Sequence, residues 1–206
     1  MQQDGSVSLK GDPRVIYFIM LQTRAWVCSA ASRYVLVACR WVTRYSVCRR
    51  QFKDSTDSGE ERKLLDYQTH LYICGTHLAT TLTNILTSMK LMQLLDICQQ
   101  QVKAKNYEML NMLHHITAGF KVIMIEDHDK AFSELRQCCG GAGYLLSSGI
   151  GGLFTDSIPA ATYEGTSTIL SKEASRYLLK LLAQIDKGEA APSTLGYLTN
   201  YKALKS

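Results

Sequence analysis

The sequence predicts an all-α protein, an antiparallel bundle of four helices, and three observations carry that prediction. The chain contains only three prolines, and each falls where a helix is expected to begin or end. Apolar residues recur at steps of three and four over long stretches, which keeps one face of a helix turned toward a partner. No stretch alternates apolar and polar residues as a half-buried strand would.

Each predicted helix has its own start and stop signals. The expected bounds are Pro13 to about Phe52, Leu64 to about Gln101, about Tyr107 to Cys139, and about Thr166 to Ile185. A polar stretch at 53–60 predicts an exposed loop, and the glycine-rich stretch after Tyr144 predicts an irregular segment. We therefore expect an N-terminal tail at 1–12, one bundle domain at 13–187, and a C-terminal tail or the start of a linker at 188–206.

Composition narrows the function classes. Apolar residues make up 46% and charged residues 20% of the chain, an ordinary balance for a globular protein. The net charge of +5 comes without a dense basic stripe, so we expect no nucleic-acid partner. Four arginines interrupt the longest apolar stretch, between Val15 and Val47, which argues against a membrane span. Seven cysteines without framework spacing predict reduced, intracellular thiols, and we expect no metal site.

Three segments contain residues that could carry chemistry. Segment 44–52 contains three arginines and Phe52. Guanidinium groups bind phosphate oxygens well, so the segment could bind an anion. A positively charged helix end that complements the helix dipole explains the same pattern. Segment 137–144 is rich in glycine, which lets backbone amides approach a ligand but also simply stops helices. Glu164 lies on a turn before a helix, where a carboxylate is usually a cap. The residues alone thus indicate a bundle with a candidate anion site and no particular reaction.

The same segments resemble motifs of the acyl-CoA oxidase and acyl-CoA dehydrogenase superfamily, in the same order. Arg44-Tyr-Ser-Val-Cys-Arg-Arg-Gln-Phe52, followed by Leu65-Asp-Tyr-Gln68, is similar to the oxidase branch. Gln137-Cys-Cys-Gly-Gly-Ala-Gly-Tyr144 resembles the superfamily's Gln-x-x-Gly-Gly-x-Gly-Tyr block. Thr162-Tyr-Glu-Gly-Thr-Ser-Thr168 and Ser175-Arg-Tyr-Leu-Leu179 resemble its active-site turn and the helix that follows. The resemblance covers nearly the whole chain and implies the C-terminal bundle of acyl-CoA dehydrogenase type.

The resemblance also implies an activity and a cofactor. Glu164 would remove the α-proton of a fatty acyl-CoA thioester, while its backbone amide polarises the thioester oxygen. The β-hydride would pass to the flavin of FAD, and oxygen would then be reduced to hydrogen peroxide. The product would be the trans-2-enoyl-CoA of fatty acid β-oxidation.

Other positions acquire binding roles from the same resemblance. Thr166 and Thr168 resemble flavin contacts within one subunit, and Arg24 and Gly165 resemble substrate-side positions. A further set resembles residues that reach across a homodimer interface to the partner's flavin adenine and diphosphate: Arg49, Phe52, Gln137 and Gly141.

Two alternatives remain from the sequence: a non-catalytic helical or dimerisation module of this family, and an acyl-CoA dehydrogenase. Family members carry an N-terminal helical domain and a β-domain before this region, and oxidases add a second helical domain after it. We therefore expect the chain to be a fragment or a short isoform. The resemblance places it in the peroxisome, otherwise in the cytoplasm, although the last residues are not Ser-Lys-Leu.

Overall fold

Four long helices form the body of the protein, as a computed structural model shows. The model describes residues 12–53 and 59–205, so most of the predicted N-terminal tail and part of the predicted 53–60 loop lie outside it. The helices are α1 (Pro13–Cys48), α2 (Gln68–Lys103), α3 (Glu108–Cys138), the short α4 (Ile150–Ser157) and α5 (Ser167–Ile185). Helix α1 packs on α2 and α3, and α3 also packs on α5. The predicted all-α bundle is confirmed.

Helix α1 ends earlier than predicted, and a small sheet follows it. The chain leaves the helix at Arg49, and strands β1 (Arg50–Lys53) and β2 (Glu61–Lys63) pair in an antiparallel ribbon. The prediction of no sheet is therefore wrong at this point, and Phe52 lies on a strand rather than at a helix end. Strands of four and three residues are too short to produce a recognisable alternation in the sequence.

The glycine-rich region after α3 is more ordered than predicted. Short 3-10 turns at Gly140–Tyr144, Leu146–Ser148 and Ile158–Ala161 flank α4. The predicted C-terminal tail likewise contains 3-10 turns over Ser193–Lys205, and Leu195 is buried there. Tyr201 donates a hydrogen bond to the Asp186 carboxylate, which ties this segment to the end of α5.

Three apolar clusters fill the interior along the length of α1. One cluster lies near its C-terminal half, around Phe132 and Leu135 of α3. A second lies near its N-terminal half, around Leu95 of α2 and Leu113 of α3. The third joins Val27 and Ala31 of α1 to Ile125 of α3 and Ala160, and so fixes the 3-10 turn that precedes residues 162–166. Within residues 12–53 and 59–205, no helix is both long enough and apolar enough to cross a lipid bilayer.

Candidate active site

The turn at 162–166 joins the third apolar cluster to α5. The amides of Thr162 and Tyr163 both donate to the Pro159 carbonyl, which ends the preceding 3-10 turn. Gly165 has a φ of +101°, and a β-carbon there would lie 2.9 Å from the buried side chain of Leu170. Glycine is therefore needed at this position for both its backbone angle and its lack of a side chain.

Glu164 itself has a left-handed backbone, with a φ of +58°. Among the described residues only two other non-glycine positions have positive φ, namely Phe52 and Lys105. Lys105 follows Ala104, the C-terminal cap residue of α2, and this is a position where chains leaving a helix commonly adopt this conformation. Phe52 lies in the bulged pairing between Arg50 and Lys53 of the β1–β2 ribbon, and bulges commonly place a residue in this conformation. Glu164 has no such explanation, and strained backbone of this kind concentrates at functional sites.

Lys121 of α3 holds the turn from within. Its side chain is 2% exposed, and its Nζ donates to the carbonyls of Tyr163, at 2.7 Å, and Gly165, at 2.5 Å. Sequence reasoning missed this residue. The signal was present, because Lys121 falls in register with buried Thr117 and Ile125 on one face of α3.

Arg24 of α1 approaches the same turn from the other side. It is 4% exposed, and its Nε donates to the Glu164 carbonyl at 3.3 Å. Its Nη1 is buried without a hydrogen-bond partner among the described residues. Burial lowers the pKa of both Arg24 and Lys121, and the nearby Glu164 carboxylate partly opposes that shift. The half-buried Glu164 thus lies beside two buried cations.

The remaining flavin candidates of this region lie at the start of α5. Thr166 is the N-terminal cap residue of α5 and is half-buried, and Thr168 is exposed in its first turn. The structure therefore brings together five of the predicted residues: Arg24, Glu164, Gly165, Thr166 and Thr168.

The other predicted set lies where α1 and α3 end. Arg49 and Phe52 are exposed, with Phe52 at 68%, and Gln137 is exposed in the last turn of α3. Tyr45 of α1 and Ala142 belong to the same apolar cluster, which places the end of α1 beside the glycine block. We call Arg49, Phe52, Gln137 and Gly141 the exposed set.

The three glycines of the 137–144 block have different structural reasons. Gly140 has a φ of +55°, which favours glycine. A β-carbon on Gly143 would collide with the Arg136 carbonyl oxygen. Gly141 has neither constraint, because its φ is not positive and a β-carbon there would meet nothing within 4 Å. Among the described residues, nothing within the chain explains why this position is a glycine.

The two sets do not meet within one chain. Arg24 lies within α1 and Arg49 is its C-terminal cap residue, so at ~1.5 Å per residue they are about 37 Å apart along the helix. One chain alone cannot present both sets to one small ligand.

Comparisons with known proteins decide the family. The model of the acyl-CoA oxidase C-alpha1 domain matches residues 17–179. This chain belongs to the acyl-CoA oxidase family. A putative peroxisomal acyl-coenzyme A oxidase 1.2 of Arabidopsis thaliana is 32% identical over 203 residues, which are 98% of this chain and 30% of that protein.

Solved structures of the family have the same bundle. Acyl-CoA oxidase 1 of Arabidopsis thaliana superimposes with a TM-score of 0.88 at 30% identity, covering 97% of this chain and 30% of that one. Acyl-CoA oxidase-2 of Caenorhabditis elegans, bound with FAD, ascaroside-CoA and ATP, gives a TM-score of 0.84 at 27% identity, covering 88% and 28% of the two chains. This acyl-CoA oxidase-family chain spans about 30% of the length of the curated relatives that it matches, and it corresponds to their C-terminal helical domain.

Proposed function

We propose that this chain provides the helical catalytic part of an FAD-dependent acyl-CoA oxidase, which converts fatty acyl-CoA to trans-2-enoyl-CoA and releases hydrogen peroxide. The observation that supports this most strongly is the backbone of Glu164, which is left-handed on a turn held by two buried cations. A mere helix cap requires no such arrangement, since the cap residue of α5 is Thr166.

Glu164 acts as the base in this proposal. Lys121 and Arg24 bind the carbonyls of residues 163–165, so the backbone that presents the Glu164 side chain is held in place. Removing a proton next to a thioester carbonyl places negative charge on the carbonyl oxygen. The Glu164 amide donates to that oxygen, and the positive charges of Arg24 and Lys121 favour the charge that develops.

Arg24 also binds the substrate in this proposal. A buried donor without a partner is uncommon in a folded protein and marks a position where an acceptor is missing. A thioester or amide oxygen of the acyl-CoA would provide that acceptor for Nη1. Gly165 keeps this side of the turn free of a side chain.

The exposed set fits the adenine and diphosphate of FAD. Arg49 can pair with phosphate oxygens, Phe52 offers an exposed ring, and the open space at Gly141 admits a ligand close to the backbone. FAD, when bound, would accept the β-hydride and pass the electrons to oxygen. Because the two sets are about 37 Å apart along α1, we propose a homodimer in which the exposed set serves the partner's flavin. Thr166 and Thr168 then contact the flavin of their own subunit.

Flavin content and peroxide release test this proposal together. We expect the purified chain to bind FAD and to release peroxide when a fatty acyl-CoA is added in air. Glu164→Gln should lower the rate by about 100- to 10,000-fold, because a general base is lost. The matched control is Glu108→Gln, an exposed glutamate at the start of α3, which should leave the rate unchanged.

The same measurements separate the alternatives. A colourless helical dimer that binds no FAD would indicate the non-catalytic module. The observation in favour of this alternative is that the chain matches only 30% of the length of its Arabidopsis relative. Reduction of an artificial electron acceptor without peroxide would indicate a dehydrogenase. We also propose a peroxisomal location, which the name of the Arabidopsis relative supports and which a fluorescent fusion would test.

A further inference from the structure

A cluster of metal-binding side chains lies beside Gln137, outside the proposed catalytic turn. His70, Cys74 and Cys138 place one ligand atom each within 4.8 Å of one another. His70 and Cys74 are one helical turn apart on α2, so both side chains lie on the same face. Cys138 is the last residue of α3 and comes from the neighbouring helix.

Ser46 of α1 contacts the Nε2 atom of His70. The Ser46 hydroxyl donates its only hydrogen to the Val42 carbonyl at 2.7 Å. Ser46 Oγ also lies 2.7 Å from His70 Nε2, and the ring nitrogen is the donor of this contact when the hydroxyl hydrogen is directed at Val42. A neutral imidazole with hydrogen on Nε2 has its lone pair on Nδ1, which is the form that binds a metal. Because Ser46 is fully buried, this arrangement is held by the core.

The cluster is reached from outside through a cleft. The cleft has a volume of about 250 Å³, and its lining residues are Thr69, His70, Ile73, Glu134, Gln137 and Cys138. Cys74 is buried below it, whereas His70 and Cys138 are half-buried at its wall. The cleft therefore offers an entry path and room for a water molecule as a fourth ligand.

We propose that His70, Cys74 and Cys138 bind one Zn²⁺ ion, with the fourth tetrahedral position facing this cleft. Two thiolates and one imidazole are a common donor set for zinc with an open position. At zinc–ligand lengths of about 2.0–2.3 Å, tetrahedral ligand atoms lie ~3.6 Å apart, so the side chains close inward by about 1 Å on binding. The site departs from the sequence expectation of no metal, because its ligands come from two helices far apart along the chain.

Binding of Zn²⁺, followed in the presence of a reductant that does not bind metals, tests the proposal directly. We expect about one equivalent per chain, with release of about two protons from the two thiols. Co²⁺ in place of Zn²⁺ should give the intense d–d absorption of a tetrahedral site and a thiolate charge-transfer band. These spectra come from the unaltered chain, so the result does not depend on whether a variant folds.

Variants identify the ligands. Cys74→Ser and Cys138→Ser combined in one variant should abolish the charge-transfer band. Cys98→Ser, at a buried cysteine of the apolar cluster around Leu95 and Leu113, should leave the band unchanged. Ser46→Ala should weaken Zn²⁺ binding by about 10- to 100-fold, because the partner of His70 is lost. The matched control is Ser32→Ala, whose hydroxyl bonds the Cys28 carbonyl in the same way on the same helix. Failure to bind Zn²⁺, or binding that survives both cysteine substitutions, would overturn the proposal.

Discussion

The two halves of the proposed flavoenzyme site are held in different ways. The 162–166 turn is fixed from inside, where buried Arg24 and Lys121 bind three consecutive carbonyls. The exposed set lies at the far end of α1 and faces solvent, with open space at Gly141. The first half is held by the core of its own chain, whereas in the proposed homodimer the second half serves the partner's flavin. Substitutions in the turn should therefore change the stability of the fold, and substitutions in the exposed set should change binding.

The largest loss of stability is expected for Lys121→Ala. This substitution leaves the carbonyls of Tyr163 and Gly165 without a donor and opens a cavity in the core. We expect the free energy of unfolding to fall by about 2–4 kcal/mol, measured by urea denaturation with circular dichroism. Lys121→Met fills the same volume and removes the buried charge, so its loss should be smaller. If Lys121→Ala unfolded at the same urea concentration as the unaltered chain, the turn would not depend on this lysine.

A pair of glycine substitutions compares the two halves directly. Gly165→Ala forces a β-carbon against Leu170 at a φ of +101°, and we expect a loss of about 1–3 kcal/mol. Gly141→Ala meets nothing within 4 Å and should change stability by less than about 0.5 kcal/mol. In the proposed dimer, Gly141→Ala should instead weaken FAD binding. If both variants lost the same free energy of unfolding, the 162–166 turn and the exposed set would not differ in how they are held.

The backbone of Glu164 supplies the next test. A left-handed φ costs a residue with a β-carbon about 1–2 kcal/mol, a cost from which glycine is free. We therefore expect Glu164→Gly to be more stable than Glu164→Ala by about 1 kcal/mol in thermal or urea unfolding. Neither variant should release peroxide, so the two variants should differ in stability but not in activity. Equal stabilities would show that the turn relaxes and holds no strain.

Residue spacing predicted that α2 is a long helix, because Leu64 to Met92 repeats long enough for a period to be recognised. That repeat does not mark the buried face of α2, since its members Leu71, Leu82 and Met89 are exposed. The β1–β2 ribbon was missed for the opposite reason, since its strands are too short to show a period. The positions of Glu164 and of the exposed set came from motifs. Lys121 was not predicted as a site residue because lysines are ordinarily exposed. Only its register with Thr117 and Ile125 on α3 indicates that it is buried. The zinc-site candidates escaped because contacts between helices cannot be derived from the spacing along one of them.

The smallest effect on stability is expected for Arg49→Gln. A change in FAD binding by this variant can therefore be assigned to the exposed set and not to a weakened fold. Arg49 stabilises the fold through its backbone and not through its side chain. Its amide donates to the Tyr45 carbonyl at 2.7 Å, and its carbonyl accepts from the Leu64 amide at 2.9 Å. Both bonds survive the substitution, and the exposed side chain leaves no cavity, so unfolding should change by less than about 0.5 kcal/mol. Any weakening of FAD binding then reports the lost guanidinium contact with the diphosphate. The matched control is Arg33→Gln, in the middle of α1, which should not change the affinity for FAD. If the unaltered chain, Arg49→Gln and Arg33→Gln bound FAD with equal affinity, Arg49 would not contact the cofactor.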